Sequence, residues 1–224
     1  MLNEALEIKQ KDKIAIIGSG GKTTFAYNLA RKNQDKITIL TTSTKMYEIK
    51  DKNFNNLYNE INANKLKKGV NLCGKIIDNK VNALDDFSGF YKNCDLFIYE
   101  ADGAKELPYK AWKSNEPVIL EDTNKIVGIV PLHLLNHRLN KDFIHRFDEF
   151  LKVFKVSEND VISIDLIEKI CLKMFEIPIS NSSNFIFFNR CDDLKVLNEL
   201  AKRLKNFKLL AGFLKEEKYI RLNF

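Results

Sequence analysis

The sequence predicts an α/β protein built on a doubly wound, mostly parallel sheet, with a helix-rich C-terminal region. Three observations carry that expectation. Short apolar runs alternate with segments of helical spacing along the 224 residues, the pattern of parallel strands joined by crossover helices. The first run, Ile14-Ala15-Ile16-Ile17, passes directly into Gly18-Ser19-Gly20-Gly21-Lys22-Thr23-Thr24. A later run, Leu96-Phe97-Ile98-Tyr99, ends in Glu100-Ala101-Asp102-Gly103. A strand, a glycine turn and a lysine opening a helix, faced by strand-end carboxylates, is the arrangement of a phosphate-loop NTPase.

In chain order, Lys13 to Ile17 reads as the first strand and about Lys22 to Lys32 as the first helix. Ile37 to Thr41 is a second strand that ends in the hydroxyl-rich turn Thr41-Thr42-Ser43-Thr44. The polar, Asn-rich stretch from Lys50 to Lys68 is expected to be a partly helical surface excursion. Val70 to Ile77, Leu96 to Tyr99 and Lys125 to Val130 have the apolar character of strands, the second of them central. From about Asn140 the spacing turns helical, with Phe143, Phe147, Phe150, Leu151 and Phe154 on one face. Ser163 reads as the cap of a helix carrying Leu166, Ile167, Ile170 and Met174. Phe185 to Phe188 is a late strand, Asp192 to Leu204 a helix and Phe207 to Leu210 a last strand. With no repeat or low-complexity linker, residues 1–224 are expected to form one domain, and about 140–180 a helical insertion within it.

Composition narrows the partners. A hydrophobic fraction of 45% and a charged fraction of 29% suit a globular protein in water. No apolar run has the length of a membrane span and Met1-Leu2-Asn3-Glu4 does not begin a signal peptide, so no membrane partner and a cytoplasmic location are expected. The net charge of +6 comes from lysines interleaved with Asp and Glu rather than from a basic block, which argues against nucleic acid. Four widely spaced cysteines, without a CxxC pair, read as reduced and mostly buried.

The chemistry concentrates in the glycine turn. Glycines let successive N–H groups point inward, and the positive end of the following helix favours an anion. Gly18, Ser19, Gly20, Gly21, Lys22, Thr23 and Thr24 are therefore expected to hold a nucleotide polyphosphate, with Lys22 on the β- and γ-phosphates and the Thr23 hydroxyl on Mg²⁺. The turn is shorter than GxxxxGK[ST], since Ile16 stands where that motif has its first glycine. Glu100 is expected to hold Mg²⁺ with Thr23, Asp102 to position water or metal, and Gly103 to offer its N–H to the γ-phosphate. Asn189-Arg190-Cys191-Asp192 after a strand has the order of a base-recognition turn, with Asn189 and Asp192 on the nucleotide and Arg190 stacked over the purine. It reads equally as a strand-to-helix turn capped by Asp192, so both ATP and GTP stand, with GTP modestly favoured. His133 and His137, four apart, lack a third metal ligand nearby and read as half-exposed polar residues.

The order of these segments is itself distinctive. The glycine turn is followed by Thr41-Thr42-Ser43-Thr44-Lys45, then Glu100-Ala101-Asp102-Gly103-Ala104-Lys105, Pro108, Lys110-Ala111, Glu116-Pro117-Val118, Val127-Gly128-Ile129-Val130 and His145-Arg146. In this the chain resembles the YqeC family, accessory proteins of selenium-dependent molybdenum hydroxylases. It departs from the family's pattern at Asn115, where His is commoner, and at Pro131-Leu132-His133, where Gly-Leu-Asp is commoner. The resemblance implies a nucleotide-dependent step in maturing or delivering a molybdopterin-type cofactor, with a molybdenum hydroxylase apoenzyme as partner. Lys105, Lys110 and Arg146 would then meet a second anionic ligand. Two other readings stand beside it: an ATP-dependent ligase or kinase, because the loop also resembles that of the Mur peptide ligases, and a non-enzymatic nucleotide-gated carrier.

Overall fold

Every residue of Asp12–Gly18 is buried, so this strand has to lie inside a sheet that is covered on both faces. The computed structural model, which describes residues 2–176 and 182–222, has that arrangement. Its elements begin with α1 (Leu2–Ala5), β1 (Asp12–Gly18), α2 (Lys22–Arg31), β2 (Ile37–Thr42), β3 (Lys45–Tyr47), β4 (Asn55–Tyr58), β5 (Gly69–Ile77) and β6 (Lys80–Asn82). They continue with α3 (Ser88–Lys92), β7 (Leu96–Glu100), β8 (Tyr109–Lys110), β9 (Lys125–Pro131), β10 (Ile144–His145) and α4 (Phe147–Phe154). The last are α5 (Ile164–Met174), β11 (Ser183–Asn189), α6 (Leu194–Arg203), β12 (Lys208–Phe213) and β13 (Lys218–Leu222).

Eleven strands form one sheet in the order β13-β12-β11-β9-β1-β7-β2-β5-β6-β3, with β4 added alongside β5. From β12 to β5 all neighbours are parallel; β13, β6 and β3 are antiparallel additions at the edges. β1 sits where the chain reverses its order across the sheet, next to β7 on one side and β9 on the other. That is a topological switch point, at whose carboxyl end the crossover connections part and leave a crevice.

Strict alternation of side chains assigns the two faces. Ile14, Ile16, Leu96, Ile98, Val127 and Ile129 pack with Phe25 and Leu29 of α2. Ala15, Ile17, Phe97, Tyr99, Ile126 and Val130 pack with α4, α5 and α6 through Phe150, Ile167 and Leu197. The sheet is thus an α/β layer wound on both sides, as expected. α5 begins as expected too, where Ser163 Oγ accepts from Leu166 N at 3.2 Å.

Four expectations are corrected. Lys50 to Lys68 contains strand β4 and one short 3-10 turn at Ala63–Lys65 rather than helix; Asn55 is fixed by an Nδ2 bond to Asn71 Oδ1 at 2.8 Å, which lays the segment along β5. The aromatic run from Phe143 becomes helical only at Phe147. Ile144–His145 instead pairs with Tyr109–Lys110, and Arg146 at φ 59° turns the chain from this strand into α4. The last helix starts at Leu194, capped by Asp193, whose carboxylate accepts from Lys195 N and Val196 N. The final strand runs on to Phe213 and is followed by β13. The expected insertion ends at residues 177–180, outside the described residues.

Candidate functional site

Gly18, Gly20 and Gly21 all have positive φ, at 90°, 71° and 142°. Sterics make glycine necessary here: a Cβ on Gly18 would lie 2.4 Å from Ile129 O, and one on Gly20 2.5 Å from Pro131 Cγ. The loop therefore lies flat against β9. Ser19 N donates to Ile129 O at 3.1 Å and Ser19 Oγ to Pro108 O at 2.7 Å. Asn189 Nδ2 donates to Gly20 O at 2.8 Å, so the end of β11 holds the loop from the other side.

α2 begins at Lys22 with no side chain capping it. Among the described residues, the backbone N–H groups of Gly20, Gly21, Lys22, Thr23 and Thr24 have no acceptor, and the first N–H of this helix to find one is Phe25 N on Gly21 O at 2.9 Å. Unaccepted donors at a helix N-terminus form an anion site. They border a cavity of about 1060 Å³ that also reaches Glu100, Asp102, Gly103 and Asn189.

Two carboxylates at the end of β7 face the loop and do different work. Thr23 Oγ1 donates to Glu100 Oε1 at 2.5 Å. Glu100 is buried, and burial raises its pKa more than the nearby Lys22 ammonium and the Thr23 bond lower it. A cation at this oxygen pair would relieve that penalty, and a hydroxyl plus a carboxylate is a hard-oxygen donor set suited to Mg²⁺ with phosphate and water as the remaining ligands. Among the described residues no group of three or more His, Cys, Asp or Glu side chains forms a self-sufficient metal site.

Asp102 is wholly buried and its Oδ2 accepts three bonds: Gly18 N at 3.1 Å, Lys110 Nζ at 3.1 Å and Trp112 Nε1 at 2.8 Å. Its Oδ1 lies 3.4 Å from Lys22 Nζ without a hydrogen bond. Lys22 Nζ donates instead to Gly18 O at 2.8 Å. The lysine expected to meet phosphates is thus folded back onto its own loop, beside a carboxylate. Lys110, wholly buried, also donates to Gly103 O at 2.5 Å and Glu116 Oε2 at 3.0 Å. Arg146 closes the network with a two-pronged bond to Glu116 at 2.7 and 2.8 Å. Burial alone would raise the Glu116 carboxyl, but Arg146 and Lys110 outweigh it and hold it at about 2.

The structure thus gathers Gly20 to Thr24, Glu100, Asp102, Gly103 and Asn189 around one cavity, while Gly18 and Ser19, also expected at the phosphates, lie behind it with their N–H groups bonded to Asp102 and Ile129. Asp192 is exposed and is not among the residues lining that cavity. Arg190 does line it, with its guanidinium 3.2 Å from His133 Nε2; burial and then Arg190 lower the His133 pKa. Lys110 and Arg146, expected at a second anion, are committed to carboxylates. Trp112, half-buried against the core, donates its indole N–H to Asp102. Nothing in the sequence spacing joins Lys110, Glu116 and Arg146; the two-residue ladder of β8 with β10 brings Lys110 close to Arg146, and Glu116 bonds to both.

Comparison with known proteins finds relatives of this chain. The sequence model of the YqeC protein family matches residues 14–148, more than half of the chain. A protein of Escherichia coli K12, described as uncharacterized protein YqeC, is 24% identical over 159 residues. The match covers 65% of this chain and 61% of that protein, so the chain spans about three fifths of the length of the curated relative it matches. No solved structure matches the chain at significance.

Proposed function

The chain belongs to the YqeC family, and we propose that it is a Mg-nucleotide-binding NTPase of phosphate-loop type that serves as an accessory factor for selenium-dependent molybdenum hydroxylases. The observation that carries the nucleotide half of this reading is the row of unaccepted N–H groups from Gly20 to Thr24, with Lys22 and the Thr23–Glu100 pair beside it. Such a row complements a polyphosphate, and its place at the carboxyl end of β1, at the switch point, is where open α/β sheets bind ligands. The accessory half rests on the family resemblance and on nothing in the site.

In this reading the backbone donors and Lys22 bind the phosphates, while Thr23 and Glu100 hold Mg²⁺. When bound, the ion supplies charge neutralisation at the phosphoryl oxygens. Asp102, with its lone pairs turned to Gly18, Lys110 and Trp112, braces the loop rather than positioning water. Catalysis is then a matter of orientation and fixed charge, without a covalent intermediate. Asp192 does not reach the cavity, so ATP and GTP are proposed as comparable ligands.

Calorimetry with Mg-ATP and Mg-GTP tests this. Lys22→Ala is expected to weaken both by about a hundredfold, the worth of one charge-assisted contact of roughly 3 kcal/mol. Thr23→Ala is expected to remove the Mg²⁺ dependence of binding while circular dichroism stays unchanged. Equal nucleotide affinity in wild type and a folded Lys22→Ala protein would overturn the assignment.

A further inference from the structure

The cavity continues past the glycine loop to a second wall that the nucleotide reading leaves unused. One side of the cavity is formed by Asn189, Arg190 and Phe213–Glu216 at the ends of β11 and β12. The other lies across the loop, where Thr44, Lys45, Tyr47 and Lys80 come from β3, β6 and the turn before them, and Lys105, Glu106, Lys113 and His145 from the segments after β7 and at β10. A cavity of about 1060 Å³ is at the upper limit for one small ligand. Phosphates on α2 and a base toward β11 would fill only one side.

The second wall is built for negative charge. β3 and β6 pair in antiparallel register, Tyr47 opposite Lys80. Met46 and Val81 are buried, so Lys45, Tyr47 and Lys80 share the opposite face. Lys80 Nζ lies 5.1 Å over the Tyr47 ring, which orders one ammonium without neutralising it. From the facing segment come Lys105 and Lys113. Among the described residues none of these four lysines has an acidic partner within ion-pair distance. Glu116, which lines the same wall, is already neutralised by Lys110 and Arg146, leaving Glu106 as the uncommitted carboxylate. Four unpaired cations in a concave, partly enclosed space focus a positive potential that a simple solvated surface would disperse.

We infer that this wall is a second ligand site, for a phosphate- or carboxylate-bearing small molecule that binds beside the nucleotide, with Lys45, Lys80, Lys105 and Lys113 as its cationic contacts. The inference rests on the nucleotide reading for its neighbour but not for its own chemistry. It makes the cavity a two-substrate site, in which the terminal phosphate of the nucleotide lies between the α2 N-terminus and the second anion.

The test is calorimetry with inorganic phosphate as probe, on the full chain saturated with a non-hydrolysable Mg-ATP analogue so that the glycine loop is filled. The loaded wild type is expected to take up one phosphate. Lys45→Ala/Lys80→Ala and Lys105→Ala/Lys113→Ala are each expected to weaken it about tenfold or more, as loss of charge-assisted contacts implies. A control removing the same charge from helix surfaces off the cavity, Lys169→Ala/Lys202→Ala, is expected to change it less than about twofold. Absence of phosphate uptake by the loaded wild type would overturn the inference, as would equal weakening in the control. If no nucleotide binds at all but phosphate uptake still depends on Lys45 and Lys80, the nucleotide reading fails and the second site stands. Uptake that occurs only in the nucleotide-free protein, is abolished by Lys22→Ala and is untouched by the two lysine pairs means that phosphate sits in the loop, and the second site fails.

Discussion

Replacing Asp102 by Asn keeps the shape of the side chain and removes its charge at the centre of the site. Asp102 is wholly buried and its Oδ2 accepts from Gly18 N, Lys110 Nζ and Trp112 Nε1. An amide must turn its oxygen to those three donors, which points its NH₂ toward the Lys22 ammonium, 3.4 Å from Oδ1 in the native protein. Removing one member of a buried pair costs about 3–5 kcal/mol. Here Lys110 keeps Glu116 and Lys22 keeps Gly18 O, so the lower end applies, about 3 kcal/mol. In a chain of this size that lowers Tm by roughly 6–12 °C. The assay is urea unfolding followed in parallel by circular dichroism and by fluorescence of Trp112, the single tryptophan of the chain, whose indole N–H is bonded to the altered side chain. Coincident transitions license the two-state treatment. A loss below about 1 kcal/mol would refute the reasoning, because it would mean that the buried ammonium groups do not depend on this carboxylate.

Two substitutions separate loop geometry from loop composition. Gly20→Ala places a Cβ 2.5 Å from Pro131 Cγ at a φ of 71°, so it should lose about 1–2 kcal/mol for handedness and a further 1–3 for overpacking, read by thermal melting. Gly103→Ala meets no atom within 4 Å and should leave stability within about 0.5 kcal/mol. Arg146 and Lys110 hold the Glu116 carboxyl at about 2 in the folded protein, well below the 4.5 of a free glutamate side chain. The unfolded chain therefore binds the proton first as pH falls, and the contribution of Glu116 is complete above about 4.5 and lost on descent to about 2. Stability measured by urea unfolding across that window should fall less steeply in Glu116→Gln than in wild type, and an identical slope would refute the pairing with Arg146.

The central layer was legible because it is written in short-range patterns. Ile14 to Ile17, Leu96 to Tyr99 and Phe185 to Phe188 are buried on both faces, which forces them to be interior strands, and the glycines of the loop mark backbone that other residues cannot follow. The edges were not legible. β3, β6 and β8 are two or three residues long, too short to show a period, and they exist through pairing with chain distant in sequence or equally short, β6 with β5, β3 with β6 and β8 with β10. The candidate site divides in the same way. Lys22, Thr23 and Glu100 could be placed from their strand and helix ends. The partners of Lys110 and Arg146 could not, since a charge in sequence does not show whether it faces a ligand or a carboxylate 30 residues away. Asp192 illustrates the converse: a motif of the right order whose helix starts one turn position later, leaving its carboxylate in solvent.

The folded-back Lys22 sets a threshold on what the loop will accept. Its ammonium already has a carbonyl and a buried carboxylate as neighbours, so an incoming anion does not find an empty charge; it has to displace an internal one. A singly charged ion that engages one or two donors gains too little to win that exchange. A chain of phosphates that engages the whole row of N–H groups at once and brings its own divalent cation gains enough. On the proposed nucleotide reading, the loop would therefore select by valence and length before any base is read.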